Sequence, residues 1–353
     1  MNKIVVTGGG SGGHTIPALV MIKFWKAKGD FEIYYLGSKK GIEREVVTSF
    51  VKKYYPINTG KLRRYFSLEN FIDVFKFIFG IIQSLCILFK IRPFAVFSTG
   101  GFVALPVVIA AKVLGIRVVI HEQTTHVGLA NKLSSYFADA ICISFKSSAQ
   151  YFSIDRTLYT GYPLRPEFYA PIEKLQYFKN QNFTDSKKIL LILGGGNGSV
   201  LLNSFVKNNL KSLCDNFHVI LQAGKSYEHE FDQCTHEHFS VFSFLQEEMV
   251  QLLYSADYVI ARAGAGTVCE LMHLKKQCIF VPLAIAQKDE QWHNAQAAKE
   301  YMGSIVLHES DWKTSTPESI IKMLRNLSVR SHCLFTDKEN NAAMLIHSKV
   351  VKP

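Results

Sequence analysis

Residues 8–14 read Gly-Gly-Gly-Ser-Gly-Gly-His and follow directly on a short apolar run, Ile4 to Thr7. Glycine tolerates positive φ angles and lets another group approach the backbone closely. A helix that begins in such a loop presents free N–H groups and the positive end of its dipole, which suits a phosphate. The same dipole favours the neutral imidazole that a general base requires, and His14 stands where the loop enters the predicted helix. We therefore consider His14 as a base on a hydroxyl or a donor to a diphosphate, or as a histidine satisfied by local backbone.

Three more glycine turns follow apolar runs, at Gly100–Gly101, Gly194–Gly198 and Gly264–Gly266. One such loop can be a plain strand-to-helix turn, but four at strand ends favour anion binding. No lysine follows the glycines in the P-loop spacing, which excludes that motif. The second predicted strand ends at Ser38 without the carboxylate of a dinucleotide-binding site, so a nicotinamide cofactor is not indicated.

Glu270 lies in the helix predicted after the last of these turns. A carboxylate near a helix N-terminus stabilises the helix, and this is one interpretation. The other is that Glu270 accepts hydrogen bonds from the two hydroxyls of a ribose while the turn amides face a diphosphate.

Short apolar runs alternate with helical patterns along the whole chain, which predicts parallel sheets covered on both faces. The pattern is interrupted by the polar residues 171–187, where no strand is evident, and restarts at residue 188. We therefore predict two α/β domains, each with a glycine loop at the carboxyl end of its first strand. The predicted strands are 3–7, 32–36, 95–98, 118–120, 140–144, 188–193, 217–222, 239–243, 258–261, 278–282 and 304–307, and the helices of the first half are 16–28, 67–90, 104–114, 127–137 and 146–152.

The composition points to a soluble, basic protein with reduced thiols. The 353 residues carry a formal charge of +11, which favours an anionic partner, and the seven cysteines form no C-x-x-C pair. Nucleic acid fits poorly, because neither interleaved stacking aromatics nor a recognition helix is evident.

One apolar segment, residues 71–90, imitates a membrane span. Charged residues interrupt it and leave an uncharged run of about 13 residues where a span needs about 20, so we predict a helix that does not cross the bilayer. An apolar stripe on this helix follows two upstream arginines, which suits an interfacial patch on anionic lipid, although core packing is the usual role of such a stripe. The predicted patch consists of Phe71, Phe75, Ile78, Ile82, Arg63 and Arg64.

Taken together, eight motifs in this order resemble the MurG family of N-acetylglucosaminyltransferases, within glycosyltransferase family 28. The resemblance spans residues 3 to about 300 and rests on GGGSGGH at 8–14, TGGFVALP at 99–106, HEQ at 121–123, NK at 131–132, GYPLR at 161–165, GGGNGS at 194–199, RAGAGTVCE at 262–270 and DEQWHNA at 289–295. It implies a GT-B fold of two Rossmann-like, doubly wound parallel-sheet domains facing a cleft. Residues 1–163 would bind acceptor and membrane, residues 164–337 would bind the donor, and a helix over 338–353 would pack back on the first domain.

The resemblance also implies a reaction: inverting transfer of N-acetylglucosamine from UDP-N-acetylglucosamine to the muramyl C4 hydroxyl of lipid I, giving lipid II for peptidoglycan synthesis, without a metal or other cofactor. It implies a peripheral enzyme on the cytoplasmic face of the bacterial plasma membrane, with other cell-wall synthesis proteins as candidate partners. His14 would be the catalytic base, and Gly100, Gly101, His121 and Glu122 would bind the acceptor. The implied donor residues are Ser11, Gly12, Gly13, Thr124, Arg165, Gly196, Leu245, Ala265, Gly266, Thr267, Glu270, Gln291 and Asn294.

Four positions depart from the family pattern, and one of them is Phe102, which replaces a frequent tyrosine. Thr124 stands where asparagine is usual, Gly196 replaces a serine that contacts the donor phosphates, and Glu290 replaces histidine or glutamine. They leave two alternatives open: a transferase acting on another lipid, such as a diacylglycerol galactosyltransferase, and a nucleotide-sugar-binding homologue without turnover.

Overall fold

The computed structural model describes residues 2–29, 31–60, 68–179, 181–183, 186–245, 248–276, 278–285, 289–327 and 342–351. The chain divides into two compact units, Met1–Pro166 with the C-terminal helix, and Glu167–Thr336. Each unit is built around its own parallel sheet.

The first unit contains a seven-stranded parallel sheet in the order β3-β2-β1-β4-β5-β6-β7. Its strands are β1 Asn2–Thr7, β2 Phe31–Ser38, β3 Lys53–Ile57, β4 Ala95–Ser98, β5 Arg117–Glu122, β6 Ala140–Ile143 and β7 Thr157–Tyr159. Its helices are α1 Gly12–Lys28, α2 Ile42–Val47, α3 Leu68–Ile91, α4 Ala104–Val113 and α5 Leu129–Ser134. The central strands are buried on both faces because helices cover the sheet on each side, which explains their continuous apolar sequence.

The C-terminal helix, Ala342–Val351, packs on this first sheet. Ile346 and Val350 are buried in the same core cluster as Trp25 of α1. The Trp25 indole N–H donates to His347 Nδ1 at 3.1 Å, so the buried indole has a polar partner from the far end of the chain.

The second unit contains a six-stranded parallel sheet in the order β12-β11-β10-β13-β14-β15 and a short antiparallel hairpin, β8-β9. Its strands are β8 Tyr177–Phe178, β9 Gln181–Asn182, β10 Lys188–Leu193, β11 Phe217–Gln222, β12 Phe239–Phe242, β13 Tyr258–Ala261, β14 Cys278–Phe280 and β15 Ile305–Val306. Its helices are α6 Val200–Asn208, α7 Leu210–Asn216, α8 Glu248–Ser255, α9 Ala265–Leu274, α10 Glu290–Met302, α11 Glu309–Thr314 and α12 Pro317–Arg325.

The prediction of two doubly wound parallel-sheet domains is confirmed, while four local expectations were wrong or missing. The polar stretch 171–187, expected to lack strands, contains the β8-β9 hairpin, and residues 146–152 form a 3₁₀ segment, Lys146–Tyr151, instead of an α-helix. Two edge strands, β3 and β7, were not expected. The β3 sequence contains a lysine and a proline, which are tolerated at an edge and conceal the strand pattern.

Helix α3 has one packed face and one exposed face. Gly80, Ser84 and Leu88 are buried at four-residue intervals, and a Cβ on Gly80 would come within 2.3 Å of the Asn58 carbonyl oxygen. Within the described residues, Asp73–Ile91 is the helix long and apolar enough to cross a bilayer. Because its inner face packs against α4 and the loop after β3, this segment is part of the folded first unit.

Candidate functional site

Two glycine loops meet in the first unit. The Gly9 N–H donates to the Gly100 carbonyl at 3.2 Å, which joins the loop after β1 to the loop after β4. Gly101 has φ +84°, and a Cβ there would lie 2.2 Å from the Gly9 carbonyl oxygen. Only glycine therefore allows this approach. The structure thus brings the predicted acceptor residues Gly100 and Gly101 beside the first loop.

The first turn of α1 offers backbone donors. Ser11 is the N-cap residue, but its side chain makes no capping hydrogen bond. The His14 and Thr15 amides are bonded to the Ser11 carbonyl, whereas the first amides of a helix have no partner inside it. Gly12 and Gly13, both predicted donor contacts, occupy these first positions without a Cβ.

The His14 imidazole is held by one nitrogen. Its Nδ1 lies 2.9 Å from the Thr99 carbonyl oxygen and 3.2 Å from Gln123 Oε1. Both oxygens only accept, so Nδ1 carries the hydrogen and the neutral ring has its lone pair on Nε2. No partner for Nε2 is found in the part of the chain that the structure describes. His14 is therefore only half satisfied by the protein, and Nε2 has the chemistry of a base.

Gln123 was not selected from the sequence, although it lies in the HEQ motif. Its amide nitrogen donates to the Thr99 carbonyl at 2.8 Å and to the His121 carbonyl at 2.9 Å. These contacts fix which end of the amide is NH₂ and turn Oε1 toward His14. The signal in the sequence was its position, immediately after β5.

His121 and Glu122, predicted to bind the acceptor, are buried and bonded within the first unit. Burial lowers the pKa of His121 to about 4, so its ring is neutral, and its Nε2 lies 3.2 Å from the Gly161 carbonyl oxygen. Burial also raises the pKa of Glu122. The Glu122 carboxylate accepts hydrogen bonds from the Thr124 amide at 3.0 Å and from Asn131 Nδ2 at 3.0 Å. Both side chains shape the loop that carries Gln123, and direct contact with an acceptor stays a prediction.

A second residue missed by sequence reasoning is Glu43, which anchors the first glycine loop. It is fully buried at the start of α2. One carboxylate oxygen accepts from the Gly10 amide at 3.1 Å, and the other accepts from the Ser38 amide at 3.0 Å and hydroxyl at 2.6 Å. It is one of two glutamates that follow Gly41 on a short helix, and nothing in the motif pattern distinguished it from Glu45.

In the second unit, the first turn of α9 offers a similar set of donors. Gly264 is its N-cap and makes no side-chain capping bond, and the Val268 amide is the first to bond back to Gly264. The amides of Ala265, Gly266 and Thr267 thus precede the first intrahelical bond. These are the three residues predicted to contact the donor diphosphate.

The predicted sugar-contacting residues converge on the residue before this turn. Gln291 Oε1 accepts from the Ala263 amide at 3.2 Å and from the Leu283 amide at 3.0 Å. Asn294 is fully buried and donates through Nδ2 to the Ala263 carbonyl at 3.3 Å. Glu270 is buried in the second turn of α9. The structure therefore gathers these residues around the N-terminus of α9.

Arg262, also missed by sequence reasoning, links this turn to the Gly194–Gly198 loop. Its guanidinium is buried, with Nε donating to Ser199 Oγ at 2.9 Å and Nη1 lying 2.7 Å from Glu309 Oε1. Ser199 is the N-cap of α6. The strand-end arginine is thus a structural cation between two glycine loops.

The remaining predicted donor residues are distributed over both units. Leu245 lies in the loop after β12, and Gly196 lies in an open turn where, among the residues that the structure describes, a Cβ would meet only Phe244, at 3.9 Å. Thr124 and Arg165 belong to the first unit. The Thr124 hydroxyl is buried 2.8 Å from Glu122 Oε1. These donor contacts stay predictions.

The predicted membrane patch lies on the exposed face of α3. Phe75, Ile78 and Ile82 are 71%, 48% and 50% exposed, so the core-packing interpretation of this stripe was wrong for these three residues. The Phe71 side chain, Arg63 and Arg64 lie outside what the structure describes. Within the described residues, no group of three or more His, Cys, Asp or Glu side chains is arranged to hold a metal ion.

Two Rossmann-like units, each with a helix that begins uncapped after a glycine turn, define a protein of the GT-B fold class. The chain belongs to glycosyltransferase family 28: the family's N-terminal domain matches residues 4–143 and its C-terminal domain matches residues 189–350. Two similar relatives, from Clostridium kluyveri and Clostridium perfringens, are both named UDP-N-acetylglucosamine–N-acetylmuramyl-(pentapeptide) pyrophosphoryl-undecaprenol N-acetylglucosamine transferase. The first is 38% identical and the alignment covers 99% of this chain and 98% of the relative; the second is 40% identical, with 92% and 90% covered.

Solved structures show the same fold. The crystal structure of Acinetobacter baumannii MurG aligns over 100% of both chains with a TM-score of 0.72 and 24% identity. The calicheamicin glycosyltransferase CalG4 aligns over 99% of this chain and 94% of its own, with a TM-score of 0.67 and 12% identity.

Proposed function

We propose that this chain transfers N-acetylglucosamine from UDP-N-acetylglucosamine to the muramyl C4 hydroxyl of undecaprenyl-pyrophosphoryl-linked lipid I, with inversion, to give lipid II. The names of its relatives support the two substrates. The product serves peptidoglycan synthesis, and through it cell shape and division.

The observation that carries the mechanism is the single-sided fixation of His14. Because Thr99 and Gln123 hold Nδ1–H, Nε2 is available to take the proton of the attacking hydroxyl. The hydroxyl oxygen forms a bond to the anomeric carbon while the bond from that carbon to the diphosphate oxygen breaks. The bonding electron pair leaves with UDP, and His14 later returns its proton to solvent.

The second unit supplies the site for the leaving group. The amides of Ala265, Gly266 and Thr267 and the dipole of α9 stabilise the charge that develops on the diphosphate. Glu270 accepts hydrogen bonds from the ribose hydroxyls. Gln291 orients the sugar, while the fully buried Asn294 braces the backbone of Ala263.

The test is turnover of radiolabelled UDP-N-acetylglucosamine with lipid I in detergent, using the full chain. We expect labelled lipid II, and we expect His14→Ala to lower kcat by about 10²- to 10⁴-fold. His229→Ala, at an exposed histidine of the second unit, is the matched control. A His14→Ala enzyme with the kcat of the control would refute the base assignment. Transfer from UDP-galactose to diacylglycerol, or donor binding without turnover, would instead support the two alternative functions.

We propose further that the enzyme binds the cytoplasmic face of the plasma membrane through the outer face of α3, defined by Phe75, Ile78, Phe79, Ile82 and Phe89. These side chains are between 48% and 71% exposed. Lys76 and Lys90, on the same helix, are exposed and suit anionic headgroups. The inner face of the helix is already packed, which favours lying on the bilayer over crossing it.

Vesicle sedimentation tests this surface. We expect binding to anionic phosphatidylglycerol vesicles at low salt, and weaker binding to zwitterionic vesicles. Phe75→Ser with Ile82→Ser should weaken partitioning at least about tenfold, since burying one such side chain contributes about 1.5–3 kcal/mol. Ile154→Ser, at an exposed isoleucine outside α3, is the control. Equal vesicle binding by both variants would contradict the proposal.

A further inference from the structure

We infer that Gln123 is a positioning residue for His14, which selects the imidazole tautomer that leaves Nε2 unprotonated. The inference rests on the proposed role of His14 as base. His121 and Glu122 precede Gln123 in the HEQ motif, yet it is the glutamine that touches the His14 imidazole, with Oε1 3.2 Å from Nδ1.

The orientation of the Gln123 amide is fixed by its surroundings. Its Nε2 lies 2.8 Å from the Thr99 carbonyl oxygen and 2.9 Å from the His121 carbonyl oxygen. Carbonyl oxygens only accept, so this end of the amide must be the NH₂ group. The other end, facing His14, is therefore the oxygen, which can only accept from Nδ1–H.

The His121 imidazole supports the same orientation of the Gln123 amide. Its Nε2 lies 3.2 Å from the Gly161 carbonyl oxygen, so Nε2 carries the hydrogen of this neutral buried ring. Its Nδ1 then has a lone pair, 3.3 Å from Gln123 Nε2. The two amide hydrogens of Gln123 are directed at the closer Thr99 and His121 carbonyl oxygens, so the His121 lone pair is a third, more distant acceptor beside the same NH₂ group.

The opposite His14 tautomer conflicts with this arrangement. A lone pair on Nδ1 would face the Thr99 carbonyl oxygen and Gln123 Oε1, two acceptors with no hydrogen between them and the ring. With Gln123 in place, both oxygens oppose that tautomer and hold the plane of the ring. Without the side-chain oxygen of Gln123, the Thr99 carbonyl is the one remaining partner of Nδ1 among the described residues, and the ring can turn about that single contact.

This arrangement differs from one in which a carboxylate supports the histidine. When His14 takes the proton of the substrate hydroxyl, its Nδ1–H faces two neutral oxygens. The buried carboxyl group of Glu122 interacts electrostatically with His14, but its oxygens are bonded to Thr124 and Asn131. Gln123 therefore orients the base without adding a charge beside it.

The experiment is long-range ¹H–¹⁵N NMR of histidine-labelled full-length protein without substrate, combined with steady-state kinetics. In the unaltered protein at a pH where His14 is neutral, we expect the proton on Nδ1. Gln123→Met keeps the length of the side chain and removes the acceptor. We expect a detectable Nε2–H population and a kcat at least about tenfold lower, since misplacing a catalytic group by about 1 Å can cost about 10²-fold. The KM for UDP-N-acetylglucosamine should be unchanged.

Gln150→Met, at an exposed glutamine of the 3₁₀ segment that follows β6, is the matched control. If Gln123→Met does not fold, Gln123→Asn is used in its place, because the shorter side chain withdraws the same oxygen from His14. An unchanged His14 tautomer overturns the inference, whether or not kcat falls, because a loss of kcat alone would indicate loosened packing. The NMR result is independent of catalysis, so an active His14→Ala enzyme would refute the base assignment without deciding which nitrogen carries the proton.

Discussion

Replacing Glu43 with alanine tests whether one buried carboxylate holds the first glycine loop. Glu43 joins three elements, since its oxygens bond the Gly10 amide, the Ser38 amide and the Ser38 hydroxyl at 2.6–3.1 Å. Truncation removes all three bonds at once. It also leaves a space beside Gly9 and Gly41. In the unaltered protein the carboxylate group fills that space so closely that a Cβ built on either glycine would lie 2.2–2.4 Å from it.

The size of the effect follows from which groups can recover water. Gly10 is exposed, so its amide regains a water partner and contributes little to the loss. Ser38 is half-buried, and a hydrogen bond from its amide to a charged acceptor is worth about 1.5–3 kcal/mol. We therefore expect Glu43→Ala to lower the free energy of unfolding by about 2–3 kcal/mol. At about 2–4 °C per kcal/mol, the melting temperature should fall by about 4–12 °C.

Calorimetry and kinetics of the full chain give two separate readouts. Glu45→Ala, an exposed glutamate on the same short helix, is the control. We expect Glu43→Ala to raise the KM for lipid I while the affinity for UDP, which we propose to be bound by the second unit, stays unchanged. The melting temperature of Glu43→Gln should lie between those of Glu43→Ala and the unaltered protein, because an amide can accept hydrogen bonds through one of its two ends only. A melting temperature equal to that of the Glu45→Ala control would refute the anchoring role.

Two further predictions concern the second glycine turn and the buried histidine. Ala265→Pro removes one amide donor at the first position of α9. Proline is tolerated there, since Gly264 already has an extended conformation, so the melting temperature should change little. We expect the affinity for UDP, measured by calorimetric titration, to fall about tenfold. Burial lowers the pKa of His121 from 6.5 to about 4, so between these values the unfolded chain binds a proton that the folded chain does not bind. Stability that is present above pH 6.5 is therefore lost as the pH falls toward 4, at up to about 1.4 kcal/mol per pH unit. Urea midpoints between pH 7 and pH 5 should therefore shift less in His121→Gln than in the unaltered protein or in His229→Ala; parallel shifts in all three would contradict this assignment.

The two sheets were predictable because parallel strands buried on both faces have nearly continuous apolar sequences. Strands β11 and β13 have the bounds expected from the sequence, Phe217–Gln222 and Tyr258–Ala261. Edge strands and short hairpins are stabilised by individual contacts instead. Gln181 of β9, for example, bonds through its side chain to the Val219 carbonyl and Ser240, and no periodicity encodes such a contact.

The candidate site was predictable where it depends on the chain's local conformation and unpredictable where it depends on contacts between distant segments. The glycine turns and the helices that follow them were predicted from the sequence, although α1 begins at Gly12 and not at the expected residue 16, and α9 begins at Ala265. The roles of Gln123 and Glu43 depend on partners 109 and 33 residues away, at His14 and Gly10. Sequence alone could name a polar residue in a motif, but not which atom it would face.

The glycine loop after β1 and the glycine turn before α9 are held by different groups, and this difference bears on which of them takes the nucleotide. The first is anchored by the Glu43 carboxylate, whose hydrogen-bond partners are all neutral groups. The second begins beside Arg262, which is paired with Glu309, and the Glu270 carboxylate is buried one turn further along α9. A carboxylate is therefore present at both sites, and net charge does not distinguish them. What differs is the use of the backbone amides, since Glu43 already accepts from the Gly10 amide, whereas the amides of Ala265, Gly266 and Thr267 precede the first hydrogen bond within α9. The α9 turn thus keeps its three amides for the diphosphate of UDP, in agreement with the proposed binding of the donor by the second unit.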